Sequence, residues 1–175
     1  MKLDQKYFFP FMGGVALLTM IAIVISSFSF KGRQDERFSK AVAEDDSLFI
    51  RPLPLIQGEE TLTLSSYQDH EVLIVFWASW SGKSKALLKE LDFLSTNYPE
   101  LIILGAVVLD ARDTLGELPE YSGFTFVDGA KLYNAWKVPG IPSYVFVEET
   151  GQTQTGVGYK PEETIGRIRN LLNEN

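Results

Sequence analysis

Cysteine is absent from all 175 residues, and histidine occurs once, at His70. The first absence excludes a disulfide, a thiolate nucleophile and any thiolate-held metal or cluster. The second leaves few groups for acid–base work near neutral pH. Basic charge is scarce as well: residues 52–175 carry 9 Lys and Arg against 17 Asp and Glu, a balance of −8, so a nucleic-acid partner is not expected. A phosphate-cradling loop is also lacking. Gly82-Lys83-Ser84 follows an apolar run, but G-x-x-x-x-G-K-[ST] needs glycine at position 77, where Trp77 stands, so no nucleotide partner is expected either. Internal repeats and low-complexity tracts are missing.

What is present is apolar matter, 45% of the chain with 13% aromatic residues, enough for one compact core. Its distribution is uneven. Phe8 to Phe30 runs 23 residues without a charge, and as a helix would measure about 34 Å against the ~30 Å of a bilayer's hydrocarbon layer. A cleaved signal peptide would have a shorter apolar run followed by small residues, whereas Ser-Phe-Ser-Phe-Lys follows here and Ala41-Val42-Ala43 lies too far on. The chain therefore divides into a short tail at 1–7, a transmembrane anchor at 8–30, a mixed-charge linker at 31–51 that could contain a short helix, and a globular domain at 52–175.

Within the domain, Thr61-Leu-Thr-Leu64 alternates like a short edge strand, and Glu71–Trp77 is apolar after its first residue, the mark of a central strand buried on both faces. From Gly82 to Tyr98 the residues Leu87, Leu88, Leu91, Leu94 and Tyr98 recur at helical spacing, opposite Lys83, Lys85, Lys89, Glu90 and Asp92. Leu101–Leu109 is a second buried strand, parallel to the first because a helix intervenes. After an irregular or helical segment at 111–121 come a brief strand at Phe124–Val127, a helix at 129–136, and a hairpin of Ser143–Val147 with Gln152–Gly158. A last helix opens at Pro161 and runs through Leu172, with Ile165, Ile168, Leu171 and Leu172 as its apolar stripe. The order βαβ, then ββα, predicts a mixed sheet with helices on its faces.

The stretch VLIVFWASWSGKS (72–84), the helix after it, VPGIPS (138–143), the hairpin and the closing helix resemble the thioredoxin fold, over about residues 52–173. They are similar in particular to the membrane-anchored TlpA/ResA/DsbE-like thiol-disulfide oxidoreductases, N-terminal anchor included. The resemblance implies a three-layer α/β/α domain with a mixed central sheet behind one transmembrane helix. It also implies that Ser81 and Ser84 stand where the family carries the nucleophilic and resolving cysteines of Cys-x-x-Cys. Val75 occupies the place of a buried acid, and Leu87 and Lys89 replace a Glu and a Pro often seen there. The Ile141–Pro142 bond is implied to be cis, in a loop facing Ser81 that offers backbone hydrogen bonds to an extended peptide.

A hydroxyl forms no disulfide and becomes a nucleophile only beside a base. His70 precedes the central strand and belongs at its far end, so Ser81 reads as a helix N-cap rather than a hydrolase nucleophile. No catalytic residue, cofactor or metal is expected; Asp110, Asp113, Glu117 and Glu120 read as solvated carboxylates. Trp77 reads as core at a strand end, as do Leu132, Tyr133 and Trp136 on their short helix. Trp80 is either a loop anchor or an exposed contact for a partner. The expected function is binding of a protein or peptide through Trp80, Ser81, Gly82, Lys83, Ile141 and Pro142. The alternative is a thiol-disulfide oxidoreductase of cytochrome c or envelope-protein maturation, or a serine-for-cysteine form of one. The resemblance puts the domain outside the cytoplasm. Lys2 and Lys6 before the span, against Lys31, Arg33, Arg37 and Lys40 after it, vote weakly the other way.

Overall fold

The computed structural model describes residues 5–110, 115, 118–121 and 123–174. It opens with one long helix, α1 (Gln5–Ala43), whose first part is long and apolar enough to cross a membrane. Two short strands, β1 (Leu53–Pro54) and β2 (Thr61–Leu62), form a small antiparallel ladder. The edge strand expected at 61–64 is thus shorter and outside the main sheet. Leu64 begins a 3-10 turn and is 1% exposed, so the chain bends to bury it instead of continuing the alternation.

The main sheet has five strands in the order β5-β4-β3-β6-β7. They are β3 (Val72–Trp77), β4 (Ile102–Val107), β5 (Phe124–Asp128), β6 (Ser143–Val147) and β7 (Thr153–Val157). The sheet is mixed: β3, β4 and β5 run parallel, while β6 runs antiparallel to both β3 and β7. β3 lies at the centre with all six residues buried, as a strand with no polar side chain must. Its side chains alternate. Leu73, Val75 and Trp77 enter one core with Leu87, Leu88 and Leu91 of α2 (Gly82–Ser95) and Ile165 and Ile168 of α4 (Pro161–Glu174). Val72, Ile74 and Phe76 enter the other with Leu132 of α3 (Ala130–Ala135), Trp136, Phe38 and Val42.

Those last two residues correct the expected linker. α1 does not stop near Phe30; it continues to Ala43 and lays its final turns against the sheet, with Phe38 0% and Val42 1% exposed. The Phe38 ring meets Phe76 edge-on, centroids 6.5 Å apart. Burial of such side chains is worth about 1.5–3 kcal/mol each, which holds the helix down despite its charged surroundings. The chain then turns at Asp45, whose carboxylate accepts hydrogen bonds from Trp136 Nε1 (2.7 Å), Arg51 Nη2 (2.8 Å) and Ser47 N (3.0 Å).

Candidate functional site

Strand register decides which loops meet. Phe76 pairs with Ser143 and Ser143 with Val157, while Trp77 pairs with Val107 and Val107 with Asp128. The ends of β3, β4, β5 and β7 and the beginning of β6 therefore share one edge of the sheet. Residues 78–81, 108–110, 140–142 and 158–160 converge there. This is the edge the sequence singles out.

Ser81 leaves β3's loop in extended conformation (φ −87°, ψ 109°) and caps α2, its Oγ accepting from Ser84 N at 3.2 Å. The cap needs a short side chain with an acceptor oxygen, which serine supplies. Ser81 is 9% exposed and Ser84 0%, and the Ser84 hydroxyl has no hydrogen-bond partner. Gly82 and Lys83, in α2's first turn, are exposed. Trp77 is buried, and its indole N–H is likewise unpartnered.

Trp80 is 64% exposed, and its indole N–H donates to the Leu109 carbonyl at 3.4 Å. Leu109 is itself 59% exposed and turns the chain through φ +58°, which ends β4 before the expected Leu109 boundary. Next to it Asp110 clasps the loop after β3, accepting from Ser79 N at 2.6 Å and from Ser79 Oγ at 3.1 Å. Asp110 is thus engaged within the loop and not solvated as its sequence context suggests. Asp113 and Glu117 lie outside the described residues. Among the described residues no three of His, Asp and Glu gather where a metal could sit.

On the other side, the Ile141–Pro142 peptide is cis. The Pro142 carbonyl accepts from Gly158 N at 2.8 Å, and Ser143 Oγ donates to the Gly140 carbonyl at 2.7 Å. Gly158 is where the site's two halves touch. A Cβ there would lie 2.9 Å from Pro142 Cγ and 3.4 Å from Leu87 Cδ2 of α2, so a glycine lets the Pro142 loop and the helix close on one point. Ile141 is half-buried against the face of the sheet that α1 covers.

The chemistry available at this edge is narrow. His70 is exposed ahead of β3, at the sheet's opposite end, and a six-residue strand separates it from Ser81 by roughly 20 Å. Val75 is fully buried and apolar, so no carboxylate lies under the helix there. Beside the edge, burial and the nearby Asp35 carboxylate push the Tyr159 hydroxyl above its ordinary pKa, which keeps it neutral. What remains is an exposed indole, an exposed leucine, a lysine in the first turn of a helix, and backbone around a proline. Sequence reasoning missed Ser79, Leu109 and Gly158, and read Asp110 as solvated. Asp110, directly after a buried strand, was the available signal.

No family model matches the chain, and no curated protein does. Solved structures do. A secreted Mycobacterium tuberculosis disulfide oxidoreductase homologous to E. coli DsbE aligns at a TM-score of 0.60 and 18% identity, covering 71% of this chain and 98% of that one. A putative thiol:disulfide interchange protein DsbE from Chlorobium tepidum aligns at 0.58 and 20%, covering 70% and 91%. Peroxiredoxin Q from Xanthomonas campestris aligns at 0.61 and 17%, covering 74% and 93%. The fold is thioredoxin-like, three layers about a mixed sheet, behind an N-terminal apolar helix.

Proposed function

We propose that this chain is a membrane-anchored thioredoxin-like domain that performs no dithiol exchange and holds an extended segment of a protein or peptide at the Pro142 loop. The observation that carries the reading is the pair Ser81 and Ser84. They occupy the N-cap and the first turn of α2, with the Ser81 oxygen used as the cap, in a chain without a single sulfur able to enter a disulfide. Exchange needs a thiolate attacking a disulfide, so the chemistry is lost while the surface around it persists. Trp80, Lys83, Ile141 and Pro142 are its contact residues, with Ser81 and Gly82 supplying the helix start between them. An exposed tryptophan beside the Pro142 loop suits capture of a strand-like segment.

The anchor is Phe8–Phe30, and the domain lies on the extracytoplasmic side. A cysteine placed at exposed Glu149 and labelled from outside intact cells checks that sidedness; protection from an impermeant reagent reverses it.

The function is tested with the intact membrane-bound chain. The unmodified protein should reduce no disulfide substrate, and a co-purifying polypeptide should fall several-fold in yield with Trp80→Ala. Measurable turnover, or retention indifferent to Trp80, ends the reading. A second reading, a serine-for-cysteine form of a working oxidoreductase, is favoured by one observation. The slot around Ser84 Oγ buries a hydroxyl with no partner, which suits a thiol, a weaker hydrogen-bonding group. Turnover restored by Ser81→Cys with Ser84→Cys, and cysteine codons at 81 and 84 in the natural gene, would favour it.

A further inference from the structure

α1 and β7 lie alongside one another in opposite directions. At one end the Lys31 ammonium sits 5.1 Å from the centroid of the Tyr159 ring, just beyond β7. At the other, Phe49, shortly after the helix, lies 3.5 Å from where a Cβ on Gly151 would stand, just before β7. The helix therefore enters the domain at the edge that carries Trp80, Leu109 and Pro142 and leaves it toward the opposite end. Its charge-free run stops at Phe30, one residue before Lys31 and its contact with Tyr159.

That leaves no spacer. A helix over 8–30 exceeds the hydrocarbon layer by about 4 Å, and the headgroup layer on each side is about 5–7 Å deep. Lys31 then stands among headgroups, and Tyr159, packed on it, stands there too. Two large apolar side chains are exposed on this same edge, Trp80 at 64% and Leu109 at 59%, and the Trp80 indole N–H donates to the Leu109 backbone carbonyl. Trp and Tyr are the residues that settle at a membrane–water interface, because an apolar ring carries a polar tip. Exposed Lys83 and Lys31 complement anionic headgroups.

We propose that this edge lies against the bilayer, with Leu109 seated in the lipid interface, Trp80 at its margin and still open to the segment held at Pro142, and Lys31 and Lys83 at headgroup level. The inference rests on Phe8–Phe30 being a span and goes beyond the holding function. Whatever occupies the Pro142 loop then arrives along the plane of the membrane.

Because the chain has no cysteine, single spin labels are clean. The full chain, carrying Ala22→Cys, Lys83→Cys or Ile50→Cys, is reconstituted into vesicles of phosphatidylcholine and phosphatidylglycerol. Collision of each label with oxygen and with a water-soluble nickel chelate reads its depth. Ile50 is the control, since it is 71% exposed and apolar yet lies at the opposite end of the domain. The label at Ala22 should report hydrocarbon, and that at Lys83 should be several-fold less accessible to nickel than that at Ile50. A twelve-residue Gly-Ser insertion between Phe30 and Lys31 should erase the difference. Equal accessibility at Lys83 and Ile50, with Ala22 in lipid, overturns the proposal while leaving the span. A water-exposed Ala22 overturns both. Protection of Lys83 in native membranes but not in pure vesicles also overturns it, assigning the cover to a protein.

Discussion

Two serines three residues apart have opposite consequences. Ser81 supplies the acceptor that satisfies an otherwise orphaned amide of α2, and replacing an N-cap serine by alanine costs about 1 kcal/mol. Ser84 buries a hydroxyl that bonds to nothing, and removing such a group relieves a desolvation penalty of about 1–3 kcal/mol. Ser81→Ala should therefore lower the denaturation midpoint of the full chain in detergent, and Ser84→Ala should raise it. Two shifts of the same sign would show that the cap or the orphaned hydroxyl has been misassigned. The cap was legible in the sequence, because a serine directly before an amphipathic run is a start signal. The orphan was not, since it depends on what surrounds Ser84 in three dimensions.

At the level of elements, two joints set the geometry of the site and of its support. The first is Gly158, where β7's end meets the Pro142 loop and α2. In Gly158→Ala the new methyl would lie 2.9 Å from Pro142 Cγ and 3.2 Å from the Pro142 carbonyl oxygen, so ring or backbone must move. Overpacking of this kind costs about 1–3 kcal/mol. The expected result is a lower thermal midpoint together with weakened retention of the co-purified polypeptide. Retention unchanged at reduced stability would separate the Pro142 loop from binding. The second joint is Asp45, which ties the segment after α1 to Trp136 after α3. Burial by itself raises its pKa, but hydrogen bonds from Ser47, Trp136 and Arg51 outweigh it and hold the carboxyl below its ordinary 3.8. A depressed carboxylate stabilises the fold above its unfolded-state pKa, and that contribution fades as pH falls through the lower folded-state value. Stability of the native chain should thus decline below about pH 4, and Asp45→Asn should be less stable at neutral pH with a flatter acid limb. Parallel acid limbs for the two proteins would count against the assignment. Neither joint shows in the sequence. Asp45 and Trp136 are 91 residues apart, and Gly158 looks like any turn glycine.

For the molecule as a whole, the sheet and its helices could be read in advance because their signals are dense. β3 is apolar throughout, α2 and α4 carry regular stripes, and the Trp-Ala-Ser-Trp and Pro-Gly-Ile-Pro segments fix the two sides of one edge. α1's second half gave no such signal. Lys31-Gly-Arg-Gln-Asp-Glu-Arg37 has the charge of a solvated tether, and the packing rests on Phe38 and Val42, one helical turn apart, with half-buried Ala41 between them. Two anchors among so many charges do not make a visible stripe, yet they close the core over Phe76 and Trp136. The boundary of the folded unit thus lies near residue 31, and truncation tests this directly. A chain starting at Lys31 keeps every core contact and should unfold cooperatively near the midpoint of the full protein. A chain starting at Glu44 keeps the Asp45 hydrogen bonds but loses both anchors. Deleting one buried Phe typically costs about 3–5 kcal/mol, a large share of the 5–15 kcal/mol that holds a domain together. At about 2–4 °C per kcal/mol for a domain approaching this size, the shorter chain should melt at least about 10 °C lower. Equal melting temperatures for the two truncations would return residues 31–43 to the role of a tether, and the proposed seating of the domain against the bilayer would go with them.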